Sequence, residues 1–103
     1  MSRIEKIREM LQQNANDSFL LHALALEYIK TGNDAEALDC FLKLLSHHPS
    51  YLGSYYHLAK LYERRGAQEE AVSTYEAGIA LAQQTGDKHA LNELRMALDE
   101  ITD

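Results

Sequence analysis

The chain has 103 residues, 46% of them hydrophobic and 25% charged, the balance of one folded domain or a short repeat array and not of a disordered segment. Ten lysines and arginines against sixteen aspartates and glutamates give a formal charge of −6, which argues against a general nucleic-acid binder, because that needs clustered cations to neutralise phosphates. Cys40 is the only cysteine, so an intrachain disulfide and a thiolate zinc site are excluded.

The start, MSRIEKIREM, is charged and amphipathic, with no apolar segment of a secretory signal. No apolar run approaches the ~20 residues that span a bilayer, and the expectation is a soluble, cytoplasmic chain without membrane insertion. The first predicted helix covers 3–13, with Ser2 and Glu5 spaced as a capping box and Ile7, Met10 and Leu11 in phase. After a break at Asn14–Asp17, a second helix covers 18–31 and ends before Gly32, where the chain needs a left-handed turn. A third covers 34–47, and Asn33 with Glu36 again has capping-box spacing. Cys40 on it reads as a buried or half-buried spare thiol, since nothing nearby supplies a base. The single proline, Pro49, marks the next break. The fourth helix, 51–65, starts from Ser50 as its cap and ends before Gly66, the fifth covers 68–84, and the sixth, capped by Asp87, covers 88–102. Apolar residues recur at three and four, and period-two alternation is absent. The chain is therefore all-α, with six helices joined by short linkers that favour antiparallel neighbours.

Gly32 and Gly66 are 34 residues apart, and a shift of 34 superposes more than the glycines. Leu24 falls on Leu58, Ala25 on Ala59, Tyr28 on Tyr62, Glu36 on Glu70, Ala37 on Ala71 and Phe41 on Tyr75. This pattern resembles the tetratricopeptide repeat family. The first unit carries it as Leu21, Leu24, Ala25, Tyr28, Gly32, Ala37, Phe41 and Pro49, the second as Tyr55, Leu58, Ala59, Tyr62, Gly66, Ala71 and Tyr75. Two departures stand out. Leu44 replaces the small residue usual late in the second helix of a repeat, and Gln83 stands where the second unit would have its proline, which lets the fifth helix run on. The resemblance implies antiparallel hairpins stacked as a short right-handed superhelix (an α-α solenoid) in a single domain, 1–103. Segment 3–13 is then a half-repeat helix, 18–51 and 52–85 are two full repeats, and 88–102 is a capping helix. That last helix keeps Leu91, Leu94, Leu98 and Ile101 in phase only if about three extra residues lengthen the preceding connection. Glu93, Asp99, Glu100 and Asp103 form its polar outer face.

Leu24, Ala25, Tyr28, Ala37, Phe41, Leu58, Ala59, Tyr62, Ala71 and Tyr75 read as packing residues. The resemblance directs Phe19, His22, Ala23, Leu26, Ile29 and Lys30 of the first unit to a concave side, with Gly53, Tyr56, His57, Lys60, Glu63 and Arg64 of the second. Large apolar residues on an otherwise solvated face mark a contact. The peptide-binding candidates are therefore Phe19, His22, Leu26, Ile29, Tyr56, His57, Lys60, Glu63 and Arg64. His22, Leu26 and His57 occupy the places where many relatives carry a two-carboxylate clamp, so that clamp is not present; Lys60 and Arg64, one turn apart, remain able to meet an acidic group. No nucleophile–base motif or glycine-rich phosphate loop occurs, and the neighbouring carboxylates Glu69–Glu70 and Asp99–Glu100 diverge. His47 and His48 read as solvated residues at a helix end. His22 and His57 lack the spacing of a helical zinc pair. The expected activity is a non-catalytic protein-interaction module, an adaptor or scaffold, without cofactor or metal, that takes an apolar peptide or helix from an unidentified protein partner. The alternative is a self-associating homodimer in which the groove or flanking helices form the contact, with Leu42, Leu44 and Leu45 as candidates.

Overall fold

The structure is a computed structural model and describes residues 1–102. Six helices run in chain order: α1 (Arg3–Gln13), α2 (Ser18–Lys30), α3 (Asp34–His47), α4 (Gly53–Arg64), α5 (Gln68–Thr85) and α6 (Lys88–Thr102). They fall into two compact units, Met1–Pro49 with α1 to α3 and the chain from Ser50 on with α4 to α6. Among the described residues there is no strand, and the fold is an all-α helical repeat. None of these helices is long and apolar enough to cross a membrane.

In the first unit, α1 opens on the expected capping box. The Glu5 amide donates to Ser2 Oγ at 3.1 Å, and the Ser2 amide to Glu5 Oε1 at 3.1 Å, satisfying two donors that a helix start leaves free. Asp17, which the sequence pattern had placed in a break, caps α2 by accepting the Leu20 amide at 2.9 Å. At the other end of α2, Gly32 adopts φ +80° and the Asn33 amide reaches back to the Tyr28 carbonyl at 2.8 Å. This closure leaves Asn33 unable to cap α3 as expected. Its side chain turns back to donate to Thr31 Oγ1 at 2.8 Å, and no side-chain cap forms at the start of α3. α2 packs against both α1 and α3. Ile7, Leu21, Leu24, Ala25, Ala37, Cys40, Phe41 and Leu44 make the core, while Met10, expected in phase with Ile7, is exposed. His48 is less solvated than expected: its Nε2–H donates to the Asn16 carbonyl at 2.7 Å, tying the end of α3 to the turn before α2.

In the second unit, the helix expected at 51–65 begins only at Gly53, after a turn in which the Ser54 amide donates to the Tyr51 carbonyl at 3.3 Å. Leu52, not Ser50, occupies the cap position, and no side chain caps the helix. The end of α4 repeats the end of α2, with Gly66 at φ +77° and the Ala67 amide on the Tyr62 carbonyl at 2.9 Å. α5 runs for 18 residues against 14 in α3. The extra length therefore goes into the helix, and the connection to α6 stays short instead of gaining the residues expected there. Asp87 caps α6 by accepting the Ala90 amide at 3.0 Å, and Gln68 donates to the Ile101 carbonyl at 2.7 Å near the other end. Leu94 and Ala97 of α6 join Ala59, Tyr75 and Ala82 in one core cluster, with Leu91, Leu98 and Ile101 packed against it. Gly78 is what admits Leu94 so closely: a Cβ there would lie 2.9 Å from Tyr55 Cβ and 3.1 Å from a Leu94 methyl. Tyr28 and Tyr62, expected to bury their rings, are half-buried in their respective units.

Candidate functional site

On α2 the candidates recur as Phe19, His22, Leu26 and Ile29, a helical spacing offset from the core stripe of Leu21, Leu24 and Ala25. Phe19 stands one residue after the start of the helix and is 69% exposed. Leu26 and Ile29 are half-buried. His22 sets its ring edge toward Phe41 at 6.1 Å between centroids, so the core side of the helix steadies it. Lys30 pairs with Glu27 at 3.5 Å, and Arg3 of α1 reaches the same carboxylate at 3.4 Å.

On α4 the candidates form an interlocked group with a residue assigned only to packing, Tyr75. Tyr56 meets Tyr75 edge-on at 6.5 Å and His57 at 5.6 Å. The Lys60 ammonium lies 5.6 Å from the centre of the Tyr56 ring, within cation–π range, and 3.6 Å from Glu63 Oε2. That same Glu63 oxygen accepts a short hydrogen bond from the Tyr75 hydroxyl. Burial, with the Glu63 bond and charge behind it, pushes the Tyr75 phenol well above its usual range. Lys60 thus already has a carboxylate on its own helix, which weakens the expectation that it serves an incoming acidic group. Arg64 is exposed at the end of α4.

Burial also lowers the pKa of His57 below its ordinary value of 6.5, partly offset by Glu93. A group that resists protonation only when folded costs nothing while both states are neutral. Stability is therefore present above the unfolded value of 6.5 and declines as pH falls through it, because the unfolded chain takes up the proton first. Urea titrations from pH 8 to pH 5 should show this loss, and His57→Gln should flatten that part of the profile.

The sequence pattern missed the contribution of α6. Glu93 and Glu100, expected on a purely outer face, line a hollow of about 140 Å³ together with Tyr56, Lys60, Met96 and Ala97. Their spacing of three and four around Met96 is a signal visible in the sequence, but nothing in it says which helix that face meets. Asp103, assigned to the same face, lies outside the described residues. In the first unit a larger groove, about 390 Å³, runs over Leu11, Leu21, Leu24 and Cys40 with Arg8 and Lys43 at its edges. Burial and the neighbouring Asp39 push the Cys40 thiol up to about 11, which leaves it protonated near neutral pH and a poor nucleophile. Among the described residues, no group of three or more His, Cys, Asp or Glu is placed to hold a metal ion.

The pattern of the tetratricopeptide repeat matches residues 20–47 and 52–85. The chain belongs to the tetratricopeptide repeat family. A tetratricopeptide repeat domain protein of Salinibacter ruber, solved by crystallography, is similar at 41% identity and a TM-score of 0.78, over 82% of this chain and 94% of that one. A protein of Bordetella parapertussis, solved in solution, is 26% identical with a TM-score of 0.85, over 98% and 88% of the two chains. A TPR repeat-containing protein of Pseudomonas aeruginosa is 26% identical over 98 residues, 95% of this chain and 93% of its own length. Repeats of this family generally mediate protein–protein interaction.

Proposed function

We propose that the chain is a non-catalytic adaptor that binds an apolar peptide or amphipathic helix on the exposed faces of α2 and α4. On α2 the contact residues are Phe19, His22, Leu26 and Ile29; on α4 they are Tyr56, His57, Lys60, Glu63 and Arg64. The observation that carries this reading is Phe19, a large apolar side chain 69% exposed in helical register with Leu26 and Ile29. Such a ring is an anchor of the kind that dominates peptide binding, and its exposure means the fold does not need it.

The test is a selection of displayed random peptides against the full chain, followed by affinity measurements on the enriched sequences. Apolar residues at spacings of three and four are expected among them, with affinity falling at least tenfold for Phe19→Ser while thermal stability is unchanged. Peptides that bind Phe19→Ser and Leu26→Gln as well as the parent would overturn the α2 assignment.

Self-association is a second reading, supported by Leu42 on α3, which is 46% exposed. Leu44 leaves the proposed contact because it is fully buried, and Leu45 is half-buried. Light scattering during size exclusion, comparing the parent with Leu42→Glu, would show a dimer that the variant loses.

A further inference from the structure

The hollow beside Tyr56 has a composition that the apolar-peptide reading does not account for. Its volume of about 140 Å³ is well below the roughly 300–1,000 Å³ of small-molecule pockets, and is the scale of one long side chain. Tyr56, Met96 and Ala97 give it apolar walls, and Glu93 and Glu100 add two carboxylates from α6. Met96, between those carboxylates in the chain, is 66% exposed. Among the described residues, Lys60 is the one cation lining the hollow, and its ammonium is held by Glu63 at 3.6 Å. Neither Glu93 nor Glu100 makes an ion pair with a described residue. With Glu63 included, the four charged groups sum to a net negative site.

We infer that this hollow receives an arginine or lysine side chain of the bound peptide, its aliphatic stem along Met96 and Tyr56 and its cationic head at Glu93 and Glu100. This rests on the adaptor reading above and adds the chemistry of its partner: a segment that is apolar with a basic residue, not an acidic one. The geometry suits such a side chain in two ways. A long cationic side chain buries its methylenes against apolar surface while its head stays with charge and water. The hollow also already accommodates one long cationic side chain against its aromatic wall, with the Lys60 ammonium 5.6 Å from the centre of the Tyr56 ring. Bound charge at a rim like this contributes more to orientation and encounter rate than to raw affinity, so the basic residue fixes the register of the peptide.

The three methionines, Met1, Met10 and Met96, make the experiment direct. The full chain, carrying carbon-13 in its methionine methyls, is titrated with N-acetyl-arginine amide, with the uncharged isostere N-acetyl-citrulline amide, and with N-acetyl-glutamate amide. A saturable shift of the Met96 methyl is expected with the arginine compound, at least fivefold weaker with citrulline, while Met1 and Met10 serve as controls that stay in place. The exposed double substitution Glu93→Gln, Glu100→Gln should weaken the arginine response at least fivefold, with the amide spectrum showing the fold retained. The proposal is overturned by no saturable shift, by an equal response to citrulline, by indifference to the double substitution, or by a stronger response to the glutamate compound. Because the readout uses single amino acids, it is separate from the adaptor test. Selected peptides that depend on Phe19, together with a silent Met96, would sink the basic-residue assignment alone; an arginine response without any selected peptide would sink the adaptor reading.

Discussion

Leu44→Ala is expected to destabilise the chain by about 2–5 kcal/mol, the usual cost of truncating a buried leucine, which combines lost transfer free energy with the cavity left behind. The prediction runs against the family pattern, in which a small residue is usual at this place, so a substitution toward the consensus should harm this protein. Leu44 is 0% exposed, and the alanine would leave its space unfilled unless the surrounding helices collapsed onto it. Total stabilities of small domains are about 5–15 kcal/mol. The loss should therefore appear in urea unfolding as a lower midpoint at an unchanged slope, and as a melting temperature lower by about 10 °C or more. A cost below about 1 kcal/mol would mean that the site repacks freely.

At the position 34 residues later it is enlargement, not truncation, that is expected to destabilise. Gly78→Ala should destabilise the second unit by about 1–2 kcal/mol, although alanine is the better helix former by about 1 kcal/mol. The added methyl would stand 2.9 Å from Tyr55 Cβ and 3.1 Å from a Leu94 methyl. Leu94 can turn aside, but Tyr55 Cβ is fixed to the α4 backbone, so α4 and α5 must separate. Because Tyr55 Cβ cannot yield, the cost falls in the upper part of the range of about 1–3 kcal/mol that overpacking takes, which outweighs the gain in propensity. Gly78→Leu, which transplants the residue of the first repeat, should displace α6 altogether, seen as rapid amide exchange through 88–102. Ala77, exposed on the same helix, is the control, since Ala77→Gly reports propensity alone. A stabilised Gly78→Ala variant would show that α6 does not pack as closely as described.

These two positions also show where sequence reading succeeds and where it stops. A shift of 34 also superposes Leu44 on Gly78, and both positions are buried, as equivalent places in a repeat are. It could not say that one place is filled by a leucine and the other by its neighbours' side chains, since that depends on how closely α6 approaches. Helix limits were legible to within two residues, set by local events: Ser2 and Asp87 as caps, Gly32 and Gly66 as left-handed turns. Asn33 misled because two roles compete for it. It closes the turn after Gly32, and its side chain then faces Thr31 instead of the start of α3.

For the candidate site, the sequence marked Phe19, Leu26 and Ile29 by their helical spacing outside the core stripe, but not the arrangement around Tyr56. Lys60 was visible as a cation and Glu63 as an anion, three residues apart and therefore within reach. Their joint engagement with Tyr75 and Tyr56 needs α5 to be in place. Glu93 and Glu100 were visible only as members of a polar outer face of the last helix; only the docking of α6 sets them beside Tyr56 and Lys60.

By itself, then, the sequence determined the six helices, the 34-residue repeat, the family and most of the core, because periodicity, turn chemistry and burial pattern act over a few residues and recur in each unit. The tertiary structure alone decided the close approach at Gly78, the burial of Leu44, and the hollow that gathers Tyr56, Lys60, Glu93 and Glu100. Each of these depends on a distance between helices, and that distance is fixed by the fit of many side chains at once, which no single stretch of sequence records.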